Sequence, residues 1–152
     1  TEFQAVLLSA GLAHLREETQ TRDANAQRLR DALEDVPGIK VQARGRLADT
    51  QGYYNLVFLV DPGCLTVTRD QFSAALGAEG LGCNHTYGPV YRHALWNIDP
   101  QGYRLAGDAC PACEDCCTNR AMAINHNWLL GSDEVIDGII RAVTKVARAY
   151  AA

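Results

Sequence analysis

The chain has 152 residues, 47% of them hydrophobic and 21% charged, with a formal net charge of −4. That composition belongs to a folded globular domain and excludes a disordered or fibrous chain, while the missing surplus of Lys and Arg argues against nucleic acid as a partner. The longest apolar runs, Leu56 to Val60 and Ala121 to Ile124, fall well short of the ~20 residues that cross a bilayer, so no membrane segment is expected.

From Glu2 to about Glu34 the spacing predicts one long helix. Phe3, Val6, Leu7, Leu8, Leu12 and Leu15 are apolar at one end, Leu29 and Leu33 at the other, and Arg16 to Arg28 is nearly all polar. The expectation is a helix that buries both ends and exposes its centre or lays it on a partner. Asp35-Val36-Pro37-Gly38 ends it, because proline cannot continue the ladder and glycine suits the turn. Ile39 to Ala43 reads as a short strand, and Tyr53 to Val60, β-branched and aromatic, as the central one.

Thr68-Arg69-Asp70-Gln71 matches a capping box, followed by Phe72, Ala75 and Leu76 at helical spacing as far as Gly80. Gly77, Gly80 and Gly82 are spaced for a cap and turn and do not match a phosphate loop. Leu81 to His85 is a further predicted strand. Thr86 to Gln101, rich in Tyr, Pro, His and Gly, has no period and is long enough to carry function. Asp108 to about Arg120 predicts another helix, Ala121 to Asn125 the last strand, and Ser132-Asp133-Glu134 the start of the final helix, with Val135, Ile136, Ile139, Ile140, Val143 and Val146 as its apolar stripe. The fold class that follows is α+β: one domain over residues 1–152, with helices on one face of a small, mainly antiparallel sheet.

Six cysteines include four between Cys110 and Cys117, a crowding that suits a reducing compartment and hence a cytoplasmic protein. The spacing Cys110, Cys113, Cys116, Cys117 leaves open a stand-alone metal- or partner-binding module, since on a helix Cys110, Cys113 and Cys117 would share one face. The two lysines, Lys40 and Lys145, are the only side-chain amines. Of the histidines, His14 and His93 read as surface or interface residues and His126 as a hydrogen-bonded strand-end residue at a dimer contact, whereas His85 stands where a strand gives way to an irregular loop, a common place for a site. The helical pattern beginning at Thr1 points to a segment of a longer polypeptide.

Thr1-Glu2-Phe3-Gln4-Ala5, Arg22 to Leu29, Leu81-Gly82-Cys83-Asn84-His85-Thr86-Tyr87, Cys110-Pro111 and Leu129-Leu130-Gly131 occur in an order that resembles the C-terminal part of the DegT/DnrJ/EryC1/StrS sugar aminotransferases. The resemblance covers essentially the whole chain, and Tyr87-Gly88-Pro89-Val90-Tyr91-Arg92 is most similar to the branch acting on cyclitols and to the aminohydroxybenzoate synthases. It implies a pyridoxal-phosphate enzyme of fold type I that works as a homodimer. The lysine and most cofactor ligands would come from an N-terminal domain, so this segment alone would bind no cofactor and carry no catalytic residue. The substrates implied are an amino-acid donor and a keto-sugar or keto-cyclitol. His85, Tyr87 and Tyr91 would line the substrate pocket, with Tyr53 and Tyr54 on its rim. A pocket built to bond hydroxyls rejects analogues that lack them, and these side chains have the chemistry for it.

Overall fold

A computed structural model describes residues 1–93 and 110–152. The first helix, α1 (Glu2–Leu33), starts at a capping box in which Thr1 accepts from the Gln4 amide. Strands β1 (Ile39–Val41) and β2 (Asn55–Val60) follow, then α2 (Arg69–Ala78), β3 (Asn84–His85), α3 (Pro111–Asp115), β4 (Ala121–Asn125) and α4 (Asp133–Ala149). A π-helical turn, Cys116–Arg120, joins α3 to β4, and a 3-10 turn, His126–Leu130, joins β4 to α4. The run 94–101 of the irregular segment, and the predicted start of the third helix at Asp108, lie outside the described residues.

The four-stranded sheet has the order β1-β2-β4-β3 and every pairing is antiparallel. Alternation along β2 turns Leu56, Phe58 and Val60 into the core. Phe58 stands opposite Met122 on β4 and Val41 on β1, so the three share one face. Onto that face pack Leu29 and Leu33 of α1, Phe72 and Leu76 of α2, and Ile136, Ile139, Val143 and Val146 of α4. Asn25 on α1 donates its amide to the carbonyls of Leu129 (2.9 Å) and Gly131 (3.3 Å), and Arg28 pairs with Asp133 and Asp137 on α4. The chain reversal after α1 depends on Gly38: its φ is +76°, and a Cβ there would stand 2.5 Å from the Leu65 side chain.

Burial along α1 differs from the pattern expected of its sequence. The centre is packed, with Asp23 and Ala26 buried, while Phe3, Val6, Leu7, Leu8, Leu12 and Leu15 are all exposed, Phe3 to 75%. Leu29 and Leu33 are buried as expected, and the burial of the centre has a non-local cause. Arg44, from the loop after β1, places its guanidinium on the Asp23 carboxylate, with Nε 3.0 Å from Oδ1 and Nη2 2.9 Å from Oδ2, so a charged residue in the polar stretch is covered. An apolar stripe of this size left open promotes association. At high concentration the chain is expected to self-associate through it, and Leu8→Glu with Leu12→Glu should return the sedimentation profile to that of a monomer; an unchanged profile would place the contact elsewhere.

The strand boundaries shift as well. Tyr53 and Tyr54 precede β2 instead of opening it, and Leu81 to Cys83 form no ladder, leaving β3 two residues long. Leu81 is instead buried behind α2, its amide bonded to the Leu76 carbonyl at 2.9 Å.

Candidate functional site

Three groups of polar side chains gather around β3 and the segments next to it. The register pairing Asn55 with Asn125 sets Tyr54 and His126 side by side just beyond the last rung of the ladder. Their rings stack with centroids 6.2 Å apart and planes 28° from parallel. Tyr87, two residues past β3, joins them: hydrogen bonding to the Tyr54 side chain raises its pKa above the ordinary phenol value. Asn125 holds the backbone here by accepting from the Asn127 amide at 3.0 Å. Tyr54 and Tyr87 are 70% and 77% exposed, so most of each side chain still faces solvent.

Tyr91 belongs to a second group. Its hydroxyl accepts from the Cys110 amide at 3.0 Å and donates to Glu114 Oε1 at 2.8 Å. Arg92 Nε donates to the same carboxylate oxygen at 2.8 Å, and its guanidinium carbon lies 5.3 Å from the centre of the Tyr91 ring. Hydrogen bonds from Arg92 and then Tyr91 lower the Glu114 pKa, while the Tyr91 phenol is raised chiefly by desolvation. This clamp ties the loop after β3 to the start of α3.

The sign of its pH dependence follows. Glu114 has a depressed native pKa, so its contribution is fully present above the unfolded carboxylate value, ~4.3, and is lost as pH falls through the native value. The urea midpoints of the parent and Glu114→Gln should therefore differ near neutrality and converge in acid. A gap that persisted in acid would show that the charge of Glu114 is not what holds the loop.

His85 enters a third group, with Nε2 3.2 Å from Asp70 Oδ1. Arg69 Nε donates to that same oxygen at 2.7 Å and is the main reason the Asp70 pKa is lowered. Of the five candidate lining residues, the structure thus brings together Tyr54 and Tyr87, gives Tyr91 and His85 carboxylate partners of their own, and packs Tyr53 into the core. Burial and then the nearby Asp23 raise the Tyr53 pKa. Sequence reasoning missed His126 as a partner of Tyr54, and missed Asp70 and Glu114 altogether.

The cysteines do not assemble the metal site of the alternative module. Among the described residues no group of three His, Cys, Asp or Glu side chains could hold a metal ion, and all six cysteines are free. The four cysteines do not lie along one regular helix, because Cys110 is the N-cap of α3, α3 ends at Asp115 and a π turn takes over at Cys116.

A four-stranded antiparallel sheet covered by helices on one face defines a small α+β domain. The family model described as the DegT/DnrJ/EryC1/StrS aminotransferase family matches residues 1–144, and the chain belongs to that family. It is 31% identical over 166 residues to the L-glutamine:2-deoxy-scyllo-inosose aminotransferase of Streptomyces fradiae, covering 97% of this chain and 38% of that protein. The protein of the same name from Micromonospora echinospora is 30% identical over 96% of this chain and 37% of its own length. The chain therefore spans little more than a third of these relatives.

Among solved structures, 3-amino-5-hydroxybenzoic acid synthase superposes with a TM-score of 0.77 at 20% identity, over 97% of this chain and 39% of that one. An aminotransferase from Psychrobacter cryohalolentis gives 0.75 at 22% identity, over 98% and 39%. These matches establish the fold, that of the corresponding segment of those chains.

Among the described residues, neither lysine is free and close enough to the tyrosine edge to hold there the pyridoxal phosphate that the family implies. Lys145 Nζ is held by Glu79 at 2.7 Å, and Lys40 lies on β1 opposite Leu59, five residues along β2 from Tyr54 and thus about 16 Å away. Neither amine stands at the tyrosine edge.

Proposed function

We propose that this chain is the small C-terminal domain of a pyridoxal-phosphate-dependent aminotransferase that moves an amino group from an amino acid to a keto-cyclitol or related keto-sugar. The observation that carries this reading is the 31% identity, along 97% of the chain, to an enzyme named for L-glutamine and 2-deoxy-scyllo-inosose. Cofactor, reactive lysine and catalytic acid–base groups would come from an N-terminal domain and from the partner of a homodimer. This domain's share is recognition. Tyr54 and Tyr87 offer hydroxyls that donate and accept, and the stacked Tyr54–His126 pair offers an apolar floor, the combination a polyhydroxylated ring needs. His85 would face the same pocket at its rim. Tyr91, its hydroxyl already engaged by Cys110 and Glu114, would shape the wall more than bond the ligand.

The test uses the chain extended to the length of its relatives. Tyr54→Phe and Tyr87→Phe should each raise KM for the ring ketone roughly fivefold, the equivalent of one hydrogen bond of about 1 kcal/mol, and leave KM for the amino donor unchanged. Equal effects on both substrates, or none, would remove these tyrosines from the pocket. Absence of ketone amination would overturn the assignment itself. In a separate arm, the 152-residue chain is mixed with pyridoxal phosphate and reduced with borohydride. Neither Lys40 nor Lys145 should carry a reduced adduct, and stoichiometric labelling of either would contradict the proposed division of labour.

A further inference from the structure

The sheet has an edge that the proposed function leaves unused. Among the described residues β1 pairs with β2 alone, and the bonds of that ladder show which of its backbone groups point away. The Asp61 amide donates to the Gly38 carbonyl and the Gln42 amide to the Val57 carbonyl, each at 2.8 Å. Bonded pairs alternate along an antiparallel ladder, so Gly38, Lys40 and Gln42 face β2 while Ile39 and Val41 turn their N–H and C=O outward. The Ile39 amide is taken by the Val36 carbonyl at 3.3 Å. The Val41 amide and the carbonyls of Ile39 and Val41 have no partner among the described residues.

A groove of about 610 Å³ is lined by Ile39, Val41 and Ala43. The side chains of Ile39 and Val41 belong to the core, so what they turn to the groove is chiefly backbone. Its two sides differ in charge. Val36 and, four residues apart on α1, Arg30 and Glu34 line it from the helix-covered side, and their charges balance. Lys40 stands on the opposite face, where the alternation of burial along β1 puts it, and pairs with no carboxylate among the described residues. At the end of β2 the groove is bounded by Asp61, whose Oδ1 is occupied by the Gly63 amide at 2.9 Å, and by Arg120, whose distance to Asp115 is 3.9 Å. Away from α1, positive charge is therefore in excess.

The geometry points to β1 as an acceptor for an extended peptide that adds a fifth strand and sets an acidic side chain opposite Lys40. In antiparallel register the peptide residue facing Val41 accepts from the Val41 amide and donates to the Val41 carbonyl, and the residue facing Ile39 donates to the Ile39 carbonyl. Between them stands the residue opposite Lys40. It belongs to a non-bonded pair, the closer kind at about 4.5 Å between Cα atoms, and its side chain shares the face of Lys40. Its two neighbours turn to the helix-covered side, where Val36 and the stems of Arg30 and Glu34 favour apolar groups. The ligand this edge selects is an extended apolar–acidic–apolar segment of another protein. A second copy fits less well, since its own β1 would set Lys40 or Gln42 against Lys40. The inference does not depend on the aminotransferase reading.

The test is titration of the 152-residue chain with blocked heptapeptides whose central runs are Val-Glu-Val and Val-Lys-Val, read by amide chemical shifts and hydrogen exchange. The Val-Glu-Val peptide should bind roughly fivefold more tightly, the effect of exchanging a like for an opposite charge across a ladder, and Lys40→Glu should invert the order. On binding, the Val41 amide should become protected, while the Ile39 amide, already bonded, stays as it was. Methylating the peptide nitrogen that donates to the Val41 carbonyl should weaken binding at least tenfold, with the protein itself unaltered. Equal binding of the two peptides, indifference to that methyl group, shifts centred on the exposed end of α1 in place of β1, or no binding at millimolar peptide would each overturn the inference. So would a Val41 amide whose protection rises with chain concentration alone, because a second copy would then occupy the edge.

Discussion

Replacing Arg69 by alanine is expected to cost about 2–4 kcal/mol, because it leaves two backbone carbonyls without their charged donor. Arg69 is only 8% exposed, and its Nη1 donates to the Cys117 carbonyl at 3.0 Å and the Ala121 carbonyl at 3.1 Å, while Nε holds Asp70. One guanidinium therefore joins the capping box of α2, the π turn and the first residue of β4. In urea, where small domains lose about 1–3 kcal/mol of stability per molar denaturant, the midpoint should fall by roughly 1–2 M. Lysine at this position should recover less than half of the loss, since one ammonium cannot reproduce a planar fork that serves three acceptors. Full recovery by lysine would mean that charge alone matters there. Because Asp70 also faces His85, the Arg69→Ala protein should show a displaced His85 resonance even where it remains folded.

Phe58→Ala should be at least as damaging. Phe58 is fully buried at the centre of the sheet, with Val41 and Met122 as its cross-strand neighbours and helices covering the same face. Emptying that volume is expected to cost about 3–5 kcal/mol, transfer and cavity contributions together. Set against a typical domain stability of about 5–15 kcal/mol, this is enough to populate the unfolded state visibly at 37 °C. Leu59→Ala, one residue along and half-buried on the opposite face, should cost about 1–2 kcal/mol. Similar losses at both positions would contradict the assignment of the two faces.

What the sequence made legible were features whose causes are local. The Thr68 capping box, the extent of β4 from Ala121 to Asn125 and the Ser132 N-cap of α4 stand where nearby residues dictate. The α+β class followed from these. What was not legible depends on partners distant in the chain. Asp23 is buried because Arg44 reaches it, and no periodicity within α1 contains that information. Tyr53 turns inward although Tyr54 turns outward, since the chain bends before β2 begins and Tyr53 fills space beside α1. Leu81 reads as a strand by composition, yet it caps the end of α2.

The candidate site divides in the same way. Tyr54 and Tyr87 stood out by residue type and position, but their association with His126 requires the register of β2 on β4. A signal did exist for that partner, since the two strands end at Asn55 and Asn125 and the residues just beyond must meet. Glu114 and Asp70 gave no such signal. Their roles arise from Tyr91, Arg92 and His85, which arrive from other elements.

The exposed half of α1 has a mechanical consequence. The helix is exposed as far as Glu17, so residues 2–17 form a cantilever of about 24 Å at 1.5 Å per residue. A tilt of 10° at its root sweeps Phe3 through about 4 Å, nearly a whole helical turn. The angle at which Asn25 and Arg28 fasten the rod to the final helix and the turn before it sets where its exposed tip points. A few polar contacts deep in the domain thus set the pointing of an arm many times their own size.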